Sequence, residues 1–531
     1  MTVSAREIEP EVVDAGPREQ AMTELHRRRD LALEQGGAAK VARHHARGHL
    51  TARERIDLLF DPGTFVEIGM FAHSDRPEVG EAAPADAVVT GAGMIDGRKA
   101  VVVAMDATVL GGSNGRIGLR KQGHMNFLAE TKGVPLVVLG DMSGGRIPDM
   151  LDETFAEVNG MYEGETIFGL RHRRVRIPRV TAIMGTAYGD PAFYAGASDF
   201  VSMTANASIG LSGPPVVAGA MGLQLTDEEL GGPQVSAKES GIAHVVVPDD
   251  PAAIKALRTF LSYLPANDTL PAPRATQWEE PSLDPADLAG LVPEDFRRAY
   301  DMRTVIEGVV DRDSFFEVAG EHARAVVTGL ARVEGRPVVV VANQPKFRAG
   351  VADARAMDKA RRAVRLAETY DLPIVFIEDL PGVMIGPDSE REGILRHAIE
   401  LLDAVTNATV PRVTVVLRKA YGFGWVLFGG YPSGADYVVA WPDAQVNFMA
   451  PANGAMIVNK KRLEEARVTG GETAYRALAA EVAAEMTEGS SVWRSAGRAA
   501  LHAVIDPAET RKAIIDGIFV GDSSVPKERR R

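Results

Sequence analysis

Two short stretches carry the residue types that could do chemistry. Ile183-Met184-Gly185-Thr186-Ala187-Tyr188-Gly189-Asp190-Pro191-Ala192-Phe193-Tyr194 runs from an apolar strand through a Tyr-Gly turn into the start of a helix, and Val415-Val416-Leu417-Arg418-Lys419-Ala420-Tyr421-Gly422-Phe423-Gly424-Trp425 does the same. The first N–H groups of a helix have no intrahelical partner and point at whatever lies in front of them. Amides fixed in this way suit an oxyanion hole, in which losing one donor typically costs about 3 kcal/mol of transition-state stabilisation. No Ser-His-Asp arrangement, acidic pair or metal-ligand cluster competes for the role, so no metal is expected. The aromatics Tyr188, Phe193, Tyr421 and Trp425 either wall a pocket or fill the core.

Glycine-rich turns form a second set of candidates. Asp141-Met142-Ser143-Gly144-Gly145-Arg146 and Glu378-Asp379-Leu380-Pro381-Gly382-Val383 each follow an apolar run, and Gly111-Gly112-Ser113-Asn114-Gly115 is similar. Glycine lets the backbone approach a ligand closely, or merely satisfies a positive φ. None matches a nucleotide-binding loop or a dinucleotide fingerprint. His44 and His45 sit in a basic segment that reads as a solvated face or a carboxylate-binding arm. His124, His244 and His397 are isolated and read as structural.

The elements that must position these turns come from a duplicated chain. Val89-Thr90-Gly91 and Gly97-Arg98 recur as Val327-Thr328-Gly329 and Gly335-Arg336, an offset of 238. Val134-Pro135-Leu136-Val137-Val138-Leu139-Gly140-Asp141 recurs as Leu372-Pro373-Ile374-Val375-Phe376-Ile377-Glu378-Asp379 at the same offset. Pro178-Arg179-Val180 and Tyr188-Gly189 recur as Pro411-Arg412-Val413 and Tyr421-Gly422, offset by 233. Repetition held over so many anchors decides the architecture. Strands are predicted near 99–105, 135–140 and 179–184, and again near 337–342, 373–378 and 412–417. Helices are predicted near 19–35, 116–132, 153–168, 353–370 and 391–407, with two more from Glu472 to Met486 and from Asp506 to Ile518. Alternating short buried strands and long helices read as an α/β layered fold. Thr51 is the expected N-cap of a helix reaching Phe60. Six prolines between Pro265 and Pro293 mark an extended linker, and the boundary falls near 295, giving halves 1–295 and 296–531.

With 531 residues, 45% hydrophobic and 25% charged, the chain is long enough for two substantial cores. It has no cysteine, which excludes disulfides, a thiol nucleophile and Cys-ligated zinc. A net charge of −13 argues against nucleic-acid and anionic-membrane partners. No apolar run approaches a membrane span and the N-terminus lacks a signal-peptide core, so the expected compartment is the cytoplasm.

At these residues the chain resembles the carboxyltransferase β subunits of biotin-dependent acyl-CoA carboxylases. The resemblance covers almost the whole sequence. It includes the opening segment Ala46-Arg47-Gly48-His49-Leu50-Thr51-Ala52-Arg53-Glu54-Arg55-Ile56-Asp57-Leu58-Leu59, Glu229-Leu230-Gly231-Gly232-Pro233, Ser240-Gly241-Ile242-Ala243-His244, Arg418-Lys419-Ala420-Tyr421-Gly422 and Val504-Ile505-Asp506-Pro507-Ala508-Glu509-Thr510-Arg511. It implies two tandem crotonase-like (ClpP/crotonase) domains and a homo-oligomer, usually a hexamer. The first half would hold acyl-CoA, and the second half of a partner chain would hold carboxybiotin. The freed biotin nitrogen would take the α-proton of the thioester, and the enolate would attack CO2. Gly189, Asp190, Phe423 and Gly424 would supply the amides. Ser143, Gly144, Gly145, Arg146, Tyr188, Gly422, Trp425 and Val426 would line the substrate sites, Val426 at the place associated with acyl-chain choice. No ATP-grasp pattern and no Ala-Met-Lys-Met biotinylation site occurs, so biotin would arrive on a biotin carboxylase or carboxyl carrier subunit.

The chain departs from the family pattern at three places. The usual Gly-Gly-Ala reads Gly189-Asp190-Pro191 at the first turn and Gly422-Phe423-Gly424 at the second, and Ser143-Gly144-Gly145-Arg146 replaces Gly-Gly-Ala-Arg. Two readings of Asp190 stand at this point. It is a helix N-cap followed by a first-turn proline, or it is a carboxylate that opposes a neighbouring enolate and marks changed chemistry. An acyl-thioester decarboxylase or hydrolase, and a catalytically weak scaffold subunit, are the alternative functions.

Overall fold

The computed structural model describes residues 16–150 and 175–525; the expected helix 153–168 lies outside them. The first of two eight-stranded sheets contains β1 (Val66–Glu67), β2 (Val88–Ile95), β3 (Arg98–Met105), β4 (Leu136–Met142), β5 (Arg179–Tyr188), β6 (Phe200–Thr204), β7 (Ser208–Gly210) and β8 (Val245–Val247). The second contains β9 (Phe316–Val318), β10 (Val326–Val333), β11 (Arg336–Asn343), β12 (Ile374–Leu380), β13 (Arg412–Tyr421), β14 (Tyr437–Ala440), β15 (Gln445–Asn447) and β16 (Ala503–Val504). Their spatial orders are β1-β2-β3-β4-β5-β6-β8 with β7 on β5, and β9-β10-β11-β12-β13-β14-β16 with β15 on β13. One is a copy of the other.

The copy extends to register. Val101 faces Leu136 in the first sheet and Val339 faces Ile374 in the second, both pairs parallel. Each sheet breaks its ladder at the same place, between Gly140 and Met142 and between Glu378 and Leu380. Parallel strands are covered on both faces, so β4 and β12 are buried along their whole length and read as continuous apolar runs. The leading hairpins of both sheets turn through left-handed pairs, Asp96-Gly97 and Glu334-Gly335, the preference of a two-residue hairpin loop.

The flanking helices Arg116–Lys132 and Ala354–Tyr370 are also equivalents. Each buries a lysine that donates to main-chain carbonyls at the head of a strand: Lys121 to Ala85 and Val88, and Lys359 to His322 and Val326. Burial lowers the Lys121 pKa to about 8 and the Lys359 pKa to about 7.

The halves share a core. Phe200 stacks on Phe260 at 4.6 Å, and Phe316 of the second half lies 5.4 Å from Phe200. The proline-rich connection is ordered, and it carries Leu288 and Val292 into the core of the second sheet. Thr51 caps the helix Ala52–Leu59 through a reciprocal box with Glu54. Near the C-terminus a long helix, Lys460–Gly489, is interrupted at Gly471, and Asp506 caps the turn that leads into the helix Thr510–Gly521.

Candidate functional site

Both Tyr-Gly turns stand at the same point of their sheets. At the ladder break β5 shifts its register on β4 and passes from β6 to β7, so that Tyr188 pairs with Gly210. β13 shifts its register on β12 in the same way and passes from β14 to β15, where Tyr421 pairs with Asn447. Each strand then delivers the chain to a short helix, Asp190–Ala197 or Gly422–Leu427. Gly189 has φ 75 and ψ −122, a conformation an L side chain rarely adopts. Gly422 has φ 65, and a Cβ on it would sit 2.9 Å from the Phe448 carbonyl oxygen. Glycine is therefore required at both turns. The helices that follow present the early amides of Asp190, Phe423 and Gly424.

Asp190 is not the helix cap. The N-cap position is Gly189, with no side-chain capping bond, and Asp190 is already the first helical residue. Its Oδ2 instead accepts hydrogen bonds from Asn114 Nδ2 and Gln122 Nε2, each at 3.1 Å. Both donors are neutral carboxamides. Burial pushes the Asp190 carboxyl above its usual pKa, and the two hydrogen bonds oppose that rise only in part. Pro191, which lacks an N–H, lies inside the first turn, where none is needed.

Other candidates prove structural. Arg146 is 7% exposed, and its guanidinium is engaged by Asp86 at 2.8 Å, by Asp149 and by Ser74 Oγ at 3.1 Å. It therefore fixes the Ser143–Gly145 loop instead of reaching outward. Tyr188 is buried, with its hydroxyl tied to Ser208 Oγ at 2.6 Å and Asp227 at 2.5 Å. Trp425 packs in the core against Gly430, whose backbone leaves no room for a side chain. Ser143 and Phe423 remain open, and Val426 is partly buried against the core cluster that contains Trp425. His244 is buried and accepts the Val201 N–H at 3.0 Å, so it belongs to the core.

What sequence reading missed lies beneath the turns. Asp141 and Asp379, equivalent residues at the ends of β4 and β12, each hold a fully buried arginine. In the second half it is Arg418, one strand over on β13, whose Nε lies 2.8 Å from Asp379; Lys419 adds a contact at 3.1 Å. The matching position on β5 is Gly185, where a Cβ would lie 2.1 Å from Asp141 Oδ1. The first half takes its arginine from the helix Ala52–Leu59 instead. Arg55 donates to Asp141 at 3.0 Å, to Asp250 at 2.8 Å and to the Met184 carbonyl at 3.0 Å. His44 approaches the same Asp141 oxygen at 3.5 Å, so this part of the basic segment turns inward. The signal was present: a charged residue inside an apolar strand in one copy and glycine in the other.

Among the described residues Asp358, His397 and Glu400 bring ligand atoms within 4.8 Å of one another. Arg361 bridges both carboxylates, with Glu400 at 2.9 Å, and supplies the cation there. No described helix is long and apolar enough to cross a membrane.

Residues 43–520 match the carboxyl transferase domain. The chain is 34% identical to the methylmalonyl-CoA decarboxylase subunit alpha of Veillonella parvula, over 93% of this chain and 94% of that one. It is 35% identical to the propionyl-CoA carboxylase, carboxyltransferase subunit of Haloferax mediterranei, over 94% and 95%. Its structure is similar to that of transcarboxylase 12S solved with methylmalonyl-coenzyme A and methylmalonic acid bound, with a TM-score of 0.86, 32% identity and 98% of both chains covered. Two crotonase-like sheets, paired glycine turns at equivalent strand ends and these similarities together assign the chain: it belongs to the carboxyl transferase family, the carboxyltransferase subunits of biotin-dependent acyl-CoA carboxylases.

Proposed function

We propose that the chain moves a carboxyl group from carboxybiotin, borne by a separate carrier subunit, to the α-carbon of an acyl-CoA through an enolate. The amides of Gly189 and Asp190 would hold the enolate oxygen, and those of Phe423 and Gly424 the ureido oxygen of biotin. Residues 1–295 would form the acyl-CoA side, with Ser143, Gly144 and Gly145 against the substrate, while Arg146 and Tyr188 brace that wall from behind. Residues 296–531 would form the biotin side, with Gly422 and Val426 in contact and Trp425 as backing. The observation that carries this reading is the duplication of one glycine turn at one point of two equivalent sheets. The protein supplies placement, dryness and oriented dipoles, and the freed biotin nitrogen takes the α-proton.

Each turn is flanked by exposed apolar side chains: Leu211 and Met221 by the first, and Phe448, Ile457 and Val458 by the second. Faces of this kind call for a partner, and a homo-oligomer, a hexamer by likeness to transcarboxylase 12S, would let the first half of one chain meet the second half of another. The partners are then a biotin carboxylase or biotin carboxyl carrier subunit, acyl-CoA and further copies of the chain, in the cytoplasm. Co-purification of a biotinylated polypeptide, followed by ATP-dependent bicarbonate fixation across a panel of acyl-CoA thioesters, tests the proposal. Absence of fixation with every thioester overturns it.

Asp190 favours a second reading, decarboxylation of an acyl-CoA such as methylmalonyl-CoA, because it places a carboxyl beside the first turn. Release of CO2 by the isolated chain without biotin would support that reading.

A further inference from the structure

Between the two halves lies a cavity of about 250 Å³, lined by neither Tyr-Gly turn. The first half contributes Arg176, the Ser198-Asp199 loop and the Ser240-Gly241 turn, and the second half contributes His322 and one face of the helix Ala354–Tyr370. On that helix Asp358, Arg362, Arg365 and Thr369 follow the spacing that brings residues to one side.

The wall is electropositive. Arg176, Arg362 and Arg365 all line it, and among the described residues none of their side chains makes a hydrogen bond or an ion pair. The two acids present, Asp199 beside Arg176 and Arg362 and Asp358 beside Arg362, offset the three positive charges only in part. Asp199 Oδ2 accepts the Arg179 N–H and the Tyr370 hydroxyl, both at 2.9 Å, and burial pushes its carboxyl toward the neutral form. Asp358 is already paired with Arg361. Lys359 adds a buried amine, two of whose hydrogens go to carbonyls. Three guanidinium forks without a side-chain hydrogen bond, all reached by solvent at the edge of one space, match carboxylate or phosphate geometry. The space suits a small metabolite.

We propose that this cavity binds a small organic polyanion, bearing carboxylate or phosphate groups, held between the halves by Arg176, Arg362 and Arg365. Because its walls come from both halves, an occupant ties the acyl-CoA half to the biotin half and stabilises their joint. The site is separate from the transfer centre, so the proposal stands whether or not carboxyl transfer is the activity.

Isothermal titration of the full-length protein with citrate, and separately with pyrophosphate, tests it and tells the two acid chemistries apart. At least one probe is expected to bind with a Kd of about 1 mM or tighter. Arg362→Gln and Arg176→Gln should each weaken that binding by at least about tenfold. Arg391→Gln, an exposed arginine outside the cavity, should leave it unchanged. Circular dichroism of each variant establishes that it is folded, and Arg365→Gln replaces either one that is not. The proposal fails if neither probe binds with a Kd of about 1 mM or tighter, if binding survives all the cavity substitutions, or if Arg391→Gln weakens it equally.

Discussion

Gly424 offers the sharpest perturbation of the second turn. A Cβ added there would sit 2.4 Å from Leu380 Cδ2 and 3.1 Å from Leu380 Cγ. Carbon atoms in contact settle at about 3.5–4.0 Å, so Gly424→Ala requires a shift of about 1 Å, and because Leu380 is fully buried the start of the helix Gly422–Leu427 is expected to take it up by moving away from β12. The amides of Phe423 and Gly424 move with it, and a displacement of that size costs on the order of 100-fold in rate. Carboxyl transfer to acyl-CoA should therefore fall by about two orders of magnitude, with kcat carrying the loss and the KM for acyl-CoA little changed. Leu380→Ala removes the obstructing atoms. The double variant should recover much of the lost rate, an interaction a double-mutant cycle measures directly. Full activity in Gly424→Ala alone, or a double variant no better than the single one, would refute the reasoning.

Further expectations concern buried charge. Glu378 on β12 is fully buried, neither of its oxygens has a hydrogen-bond partner among the described residues, and burial holds its pKa well above the carboxylate range. A folded-state pKa above the unfolded value gives a contribution to stability that is complete at low pH and is lost as pH rises through the folded pKa. Glu378→Met should therefore stabilise the protein by about 1–3 kcal/mol, with a larger gain in urea unfolding at about pH 8 than at about pH 5; an equal gain at both would contradict this. Asp190→Asn keeps the shape but cannot ionise. The rate of the natural enzyme should decline relative to the variant as pH rises, because Asp190 begins to ionise beside the enolate, and parallel pH profiles would argue against it. Arg55→Met leaves Asp141 and Asp250 without their shared partner, so a loss of about 3–5 kcal/mol is expected in chemical denaturation.

The duplication made most of the fold legible. Anchors such as Gly97-Arg98 and Gly335-Arg336 fixed hairpins, and the apolar runs ending at Asp141 and Asp379 became central strands because parallel strands covered on both faces need no polar alternation. The glycine turns were readable for the same reason, since each is a residue type demanded by backbone conformation. Side-chain partnerships across long stretches of sequence were not. Asp190 beside a proline looks like a cap, and only the fold brings Asn114 and Gln122 onto it from a helix and loop that precede it by about seventy residues. Arg146 sits where a substrate contact is expected, yet Asp86, distant in sequence, holds it inward. The exchange of Arg418 for Arg55 as the counter-ion beneath the turn breaks the repeat at the level of chemistry while keeping it at the level of shape.

The central claim is that one backbone cradle from each half, supplied by different chains, completes a single site. Reassembling a mixture of chains tests it most directly. Gly189→Val disables the first cradle and Gly424→Ala the second, so each homogeneous protein should be nearly inactive. Equal mixing after dissociation should restore about one quarter of the natural activity, because half of the pairs are mixed and one of the two sites in each mixed pair then draws both cradles from intact halves. Activity in the mixture no higher than that of either parent would contradict the account.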